Sequence, residues 1–189
     1  MEFRPLSLPG CYEIRLEPRH DERGYFMRAY DRDIFRAHGL TTDWLQENQS
    51  MSHQRGTLRG LHFQGPPHTE TKLVRALLGR VLDVFVDLRR DSPAFGHWES
   101  VELSAAQFNM VYIPRGFAHG FCTLTDDAIV AYHVDACYAP HSEGGLRWND
   151  ETLAIRWPVE SPIVSAKDRA FPSFRQLESP FTMQEEIHA

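Results

Sequence analysis

Cysteine is scarce in this chain, and long apolar runs are missing altogether. Only Cys11, Cys122 and Cys137 occur among 189 residues. They are odd in number, widely spaced and without a C-x-x-C pair. This excludes a disulfide framework and structural zinc modules, and it points to reduced thiols in a cytoplasmic compartment. Apolar stretches such as Met110 to Ile113 and Ile129 to Tyr132 stop far short of the ~18 residues that cross a bilayer. The opening MEFRPLSLPG lacks a basic segment followed by an apolar one, so no secretory signal is read. Basic charge is in deficit as well: 20 Lys plus Arg against 26 Asp plus Glu leave a net charge of −6. That disfavours broad capture of nucleic acid or of an anionic membrane. A small anionic ligand needs only a local basic pocket and stays open. No repeat or linker interrupts the chain. Its length reads as one domain over 1–189, and 42% hydrophobic residues supply a core without covalent staples.

What is present is punctuation. Breaks at Gly56, Gly65-Pro66-Pro67, Gly79, Ser92-Pro93, Pro114-Arg115-Gly116, Asp126-Asp127 and Pro140 to Gly145 cut the middle of the chain into short segments. In Val81 to Leu88 the residues Leu82, Val84, Val86 and Leu88 alternate with Asp83, Phe85 and Asp87, the period of a strand with unlike faces. Trp98 to Leu103, Phe108 to Ile113, His119 to Leu124 and Ala128 to Val134 are further strands. A helix is predicted over Asp31 to His38, stopped by Gly39. Many short strands predict an all-β sandwich or barrel with few short peripheral helices, and a jelly roll is one such solution.

Pro114-Arg115-Gly116-Phe117-Ala118-His119 has the form P-x-G-x-x-H and resembles the second cupin motif, which aims a histidine into a barrel. Metal-binding cupins add an H-x-H pair and a glutamate. Here the corresponding stretch is His62-Phe63-Gln64, so one histidine is missing, and Glu70 lies near the glutamate position. His62, Glu70 and His119 make a poor metal site, and no metal or cofactor is expected. A wider resemblance rests on DERGYF (Asp21 to Phe26), RGLHFQ (Arg59 to Gln64), KLV (Lys72 to Val74), VDLR (Val86 to Arg89), YIPRGFAHGF (Tyr112 to Phe121), RWND (Arg147 to Asp150) and SAKD (Ser165 to Asp168), in that order. Together they are similar to the dTDP-4-dehydrorhamnose 3,5-epimerase family. The resemblance implies a cupin jelly roll, a homodimer with active sites shared between subunits, and epimerisation of a nucleotide-diphosphate 4-keto-6-deoxy sugar.

That reaction makes chemical demands the residues can meet. Inverting a carbon beside a ketone needs a base on one face, an acid on the other and a cation for the enolate oxygen. His62 fits the base, because imidazole ionises near neutral pH. The resemblance makes Asp168 its partner, Lys72 the enolate cation and Tyr132 the acid, and places His119 and Arg59 along the sugar and diphosphate. It also implies that a partner-subunit strand brings Arg23, Phe26, Gln46 and Asn48 to the nucleotide, with Tyr138 as a second aromatic on the base. Arg28 departs from the family, which usually has glutamate there, and so leaves the base open between dTDP and CDP or GDP.

Taken singly, these residues have plainer readings. His62 and His119 read as hydrogen-bonded scaffold, Lys72 as a solvated edge charge and Tyr132 as core with its hydroxyl at the rim. Only their ordered match lifts them. Arg147-Trp148-Asn149-Asp150 reads as structural, with Trp148 packing and Asn149 and Asp150 capping a turn. Inversion at C3 or C5 alone, a metal-dependent oxygenase and a non-catalytic sugar-nucleotide binder remain as alternatives.

Overall fold

A computed structural model describes residues 1–183. The last six residues of the expected 1–189 domain lie outside the described residues. The strands are β1 (Glu2–Pro5), β2 (Tyr12–Arg15), β3 (Arg19–Asp21), β4 (Gly24–Phe26), β5 (Gln46–Ser52), β6 (Thr57–Gln64) and β7 (Lys72–Leu78). They continue with β8 (Arg80–Asp87), β9 (Trp98–Ser104), β10 (Asn109–Ile113), β11 (Phe117–Thr123), β12 (Ala128–Val134), β13 (Glu143–Gly145) and β14 (Ile163–Val164). Two short helices, α1 (Arg32–Ala37) and α2 (Ala166–Arg169), complete the regular elements used below. Among the described residues no helix is long and apolar enough to cross a membrane.

One sheet runs β1-β2-β10-β7-β12-β5, and the other runs β13-β6-β11-β8-β9 with β14 added in parallel to β6. Side chains alternate across each strand. Val74, Val111, Ile113 and Val130 of the first sheet therefore meet Val81, Phe85, Leu103, Phe117 and Phe121 of the second in one buried core. The expected all-β jelly-roll sandwich is the fold observed.

Both sheets are also covered on their outer faces. Leu61, Phe63, Val84, Val86 and Ala118 pack beneath Leu146, Leu153 and Phe181 of the C-terminal segments. Ile14, Leu73, Met110 and Tyr112 pack against Phe35 of α1. This corrects the reading of β8. Its two faces differ in partners rather than in wetness, for Asp83, Phe85 and Asp87 are as fully buried as Val84 and Val86. Asp87 is tolerated there because Arg89 and Ser92 donate to it. Pro140 to Gly145, expected as a turn, holds a single 3-10 turn and then β13, which pairs with β6.

The helix is capped as its sequence requires. Asp31 accepts from the N–H groups of Asp33 and Ile34, and Gly39 follows with φ +69. Asp150 serves the C-terminal segment likewise, accepting from the N–H groups of Thr152, Leu153 and Phe174. Cys11 and Cys122 are buried and Cys137 is exposed.

Candidate active site

β6 and β11 are neighbours, and their register sets His62 directly opposite His119. Gly60 and Gly120 allow this close approach. A Cβ at Gly60 would stand 2.7 Å from the Gly120 Cα, and one at Gly120 would stand 2.6 Å from the Arg59 carbonyl oxygen. Each histidine has a carboxylate. His62 Nε2 donates to Asp168 Oδ1 at 2.8 Å, and His119 Nε2 is hydrogen-bonded to Asp83 Oδ2 at 2.9 Å. With Nε2–H committed to Asp168, the lone pair of His62 resides on Nδ1.

Asp168 reaches His62 from 106 residues away. β14 pairs in parallel with the start of β6 and leads into α2, where Ser165 Oγ caps the helix by accepting from the Asp168 N–H at 3.0 Å. The second oxygen of Asp168 accepts from the Gly60 N–H at 3.0 Å. Burial pushes the Asp168 carboxyl up, but the hydrogen bonds from His62 and Gly60 outweigh it and hold the group below its usual range. Asp83 differs. It is fully buried, which pushes it up against the pull of His119 and Lys72, and its Oδ1 has no hydrogen-bond partner among the described residues.

The opposite wall comes from the first sheet. Lys72 opens β7, a central strand, and is buried rather than solvated at an edge. Its Nζ lies 5.7 Å from the ring centroid of Tyr132 on β12. Tyr132 is pushed up first by burial and then by Glu70, with Glu143 adding and Arg59 opposing, so the phenol stays protonated well into alkaline solution. His62, Lys72, His119, Tyr132, Asp168 and Arg59 share one cleft of about 420 Å³. A second cleft of about 290 Å³ adjoins it through the common walls His62, Lys72 and Tyr132, and is lined further by Gln46, Asn48 and Tyr138.

Arg59 donates to the neutral acceptors Ser52 Oγ and the Met51 carbonyl, so it brings to the cleft a positive charge that no carboxylate among the described residues pairs with. Gln46 and Asn48, expected with Arg23 and Phe26 as a partner's contribution, instead line the cleft of their own chain, and Gln46 Oε1 accepts from the Tyr138 N–H. Arg23, Phe26 and Arg28 line neither cleft. Arg23 and Phe26 sit on the β3–β4 hairpin, 90% and 70% exposed. Arg28 pairs with Asp31, the cap of α1, at 2.9 Å.

Three side chains that the sequence reading did not assign also stand here. Lys167 and Glu143 form an ion pair at 2.6 Å, and Tyr138 donates to Glu143 at 2.9 Å. Asp83 is the third. Lys167 lay inside the matched SAKD stretch, and that was the available signal. Asp83 was hidden by an alternation that cannot tell a buried carboxylate from a solvated one. Among the described residues no three His, Cys, Asp or Glu side chains converge as a metal site would need; His62, Glu70 and His119 are each engaged by other partners.

The family model described as dTDP-4-dehydrorhamnose 3,5-epimerase matches residues 5–176. The chain belongs to this family. It is 43% identical over 180 residues to the dTDP-4-dehydrorhamnose 3,5-epimerase of Methanothermobacter thermautotrophicus, covering 93% of this chain and 96% of that one. It superposes on the Mycobacterium tuberculosis RmlC epimerase with a TM-score of 0.94 at 38% identity, covering 98% and 96% of the two chains. On the Bacillus anthracis dTDP-4-dehydrorhamnose 3,5-epimerase with TDP and PPi bound the TM-score is 0.89 at 42% identity, covering 91% and 98%. Family membership makes the fold a cupin-type β-sandwich and the chain an isomerase acting on carbohydrate.

Proposed function

We propose that this chain inverts C3 and C5 of dTDP-4-dehydro-6-deoxy-glucose, giving dTDP-4-dehydro-L-rhamnose. Both carbons flank the same C4 ketone, so one set of groups serves both steps. His62 Nδ1 takes the proton from the carbon, and the C–H electron pair moves through a new C=C bond onto the C4 oxygen. Asp168 stabilises the imidazolium, and the Lys72 ammonium stabilises the enolate. Tyr132 gives its phenolic proton to the opposite face of the carbon as the enolate collapses to the ketone. Solvent then reprotonates the tyrosinate and removes the proton from His62. A ketone α-proton is many pKa units less acidic than imidazolium, and each unit costs about 1.36 kcal/mol, so base and cation must act together.

The observation that carries this reading is the wall shared by the two clefts. His62 of the second sheet, backed by Asp168, lines it together with Tyr132 and Lys72 of the first. Arg59 suits the diphosphate, which explains how a protein of net charge −6 takes an anionic substrate. Tyr138 suits one face of the base. Arg23, Phe26 and Arg28 serve the nucleotide from a second copy of the chain, whose exposed hairpin would cover the adjoining cleft in a homodimer. Three widely spaced cysteines without a C-x-x-C pair suit a reducing, cytoplasmic setting.

Proton NMR in D2O with this substrate tests the reading. Deuterium at C3 and C5 with both centres inverted is expected. Exchange at one carbon only would make the protein a single-centre epimerase, and exchange at neither would overturn the reading.

A further inference from the structure

Lys72 does not stand alone at the cleft. Glu70 lies two residues earlier, just ahead of β7. Glu70 Oε1 forms an ion pair with Lys72 Nζ, and the two side chains are only 12% and 9% exposed. Glu70 is held in turn by Gln64 Nε2, which donates to its Oε2 at 3.3 Å. Gln64 is fixed by the Ala139 N–H at 2.7 Å, the His68 carbonyl at 3.0 Å and the Cys137 carbonyl at 3.3 Å. A clamped amide thus fixes a carboxylate, and the carboxylate fixes the ammonium beside the Tyr132 ring.

This anion is costly where it stands. A buried ion pair is often no more stable than a well-packed apolar substitute, and a carboxylate beside a site that binds a diphosphate and forms an enolate repels both. Mere stability is therefore a poor account of it. Lysine carries its charge on a flexible four-carbon stem, and a cation helps an enolate most when it is already in place.

We propose that Glu70 is a positioning residue for the epimerisation, holding one N–H of Lys72 so that the others are directed at the enolate oxygen, and keeping a fixed negative charge beside the Tyr132 phenol. The proposal rests on the catalytic reading given above for Lys72 and Tyr132. The charged and titratable groups that share the two clefts with the phenol include Glu70 just before β7, Lys72 on β7, Arg59 and His62 on β6, His119 on β11, Glu143 on β13, and Lys167 and Asp168 on α2. Glu70 and Glu143 oppose ionisation of the phenol, and Arg59 favours it. Removing the Glu70 charge therefore makes the phenol ionise at lower pH, and a tyrosinate has no proton to deliver.

The test compares Glu70→Gln, which keeps an acceptor but loses the charge, with Glu70→Asp, which keeps the charge but loses reach. kcat, KM and the pH profile of inversion are measured in each, beside Lys72→Ala and Tyr132→Phe. Glu70→Gln is expected to lower kcat roughly tenfold or more with KM changed less than about threefold. It should also move the alkaline limb down by about half a unit or more. Glu70→Asp is expected to lower kcat with the limb in place. An unmoved limb in a folded Glu70→Gln protein, or a loss of turnover shared by both variants that only follows a fall in thermal midpoint, overturns the proposal. If Lys72→Ala or Tyr132→Phe turns over like the wild type, the catalytic reading falls, and the proposal falls with it.

Discussion

Asparagine at position 168 should be far more damaging than its near-identical shape suggests. The two oxygens of Asp168 accept from two donors, His62 Nε2–H at 2.8 Å and the Gly60 N–H at 3.0 Å. An asparagine has one acceptor oxygen and an NH2 that only donates. If the oxygen faces His62, the NH2 confronts the Gly60 N–H and leaves buried donors unmatched, at about 1–3 kcal/mol. If the amide flips, its NH2 donates to His62 Nε2, which must then give up its proton. The proton moves to Nδ1, and the base is gone. The conflict thus favours the inactive tautomer roughly five- to 150-fold. The active minority also loses the charge that stabilises imidazolium, about a further 1–2 kcal/mol. Together these predict a fall in turnover of roughly 30- to 5,000-fold, short of the complete loss expected for His62→Ala. Deuterium exchange at C3, followed by NMR at saturating substrate, measures it directly, and calorimetry with dTDP checks that nucleotide binding persists. Exchange within about fivefold of the wild type would show that the carboxylate neither sets the tautomer nor supports the imidazolium.

Tyr132→Phe should still take up deuterium but with retained configuration, because His62 is intact and the opposite-face donor is missing; inversion at the normal rate would assign the acid elsewhere. Phe26→Ala should weaken dTDP binding by about 1–3 kcal/mol, the usual worth of an aromatic stacked on a base, and unchanged affinity by calorimetry would remove the hairpin from the nucleotide site. Arg28→Glu breaks the pair with Asp31 and should shift the dTDP to CDP affinity ratio; an identical ratio in both proteins would confine Arg28 to that salt bridge. Because the Asp168 carboxyl is held low in the folded state, it stabilises above its unfolded value near ~3.9 and ceases to do so as pH falls through the folded value. The stability advantage of wild type over Asp168→Ala in guanidinium titrations should therefore shrink below about pH 4, and a constant difference down to pH 2.5 would contradict it.

Where burial and periodicity coincide, the fold was legible. Ala128 to Val134 is β12 residue for residue, and β9 to β11 fall within two residues of expectation. β5 was not foreseen, because QENQSMS is a polar edge strand, ordered by its ladder to β12 rather than by an apolar face. β13 and β14 are too short to show a period and exist because β6 offers them partners. The site divides the same way. His62, Lys72 and Tyr132 could be named from the family resemblance, but no local pattern joins position 62 to 168. The pairing of Glu70 with Lys72 has no strand period to announce it either, because Glu70 precedes β7. The metal-motif comparison drew Glu70 toward a different role.

The closeness of β6 and β11 at Gly60 and Gly120 carries a lesson for redesign. The separation of the two histidines is set by atoms that are not there, since a single methyl at either glycine would drive backbone against backbone. That wall is consequently rigid to mutation, and a library varied at those positions would yield unfolded protein rather than a roomier cleft. Ile163 and Val164 line the same space from a strand of two residues on the margin of the sheet. That strand runs straight into the Ser165 cap and Asp168, so its backbone path holds carboxylate to base, and selection for bulkier sugars should trim the exposed Ile163 side chain while leaving that path alone.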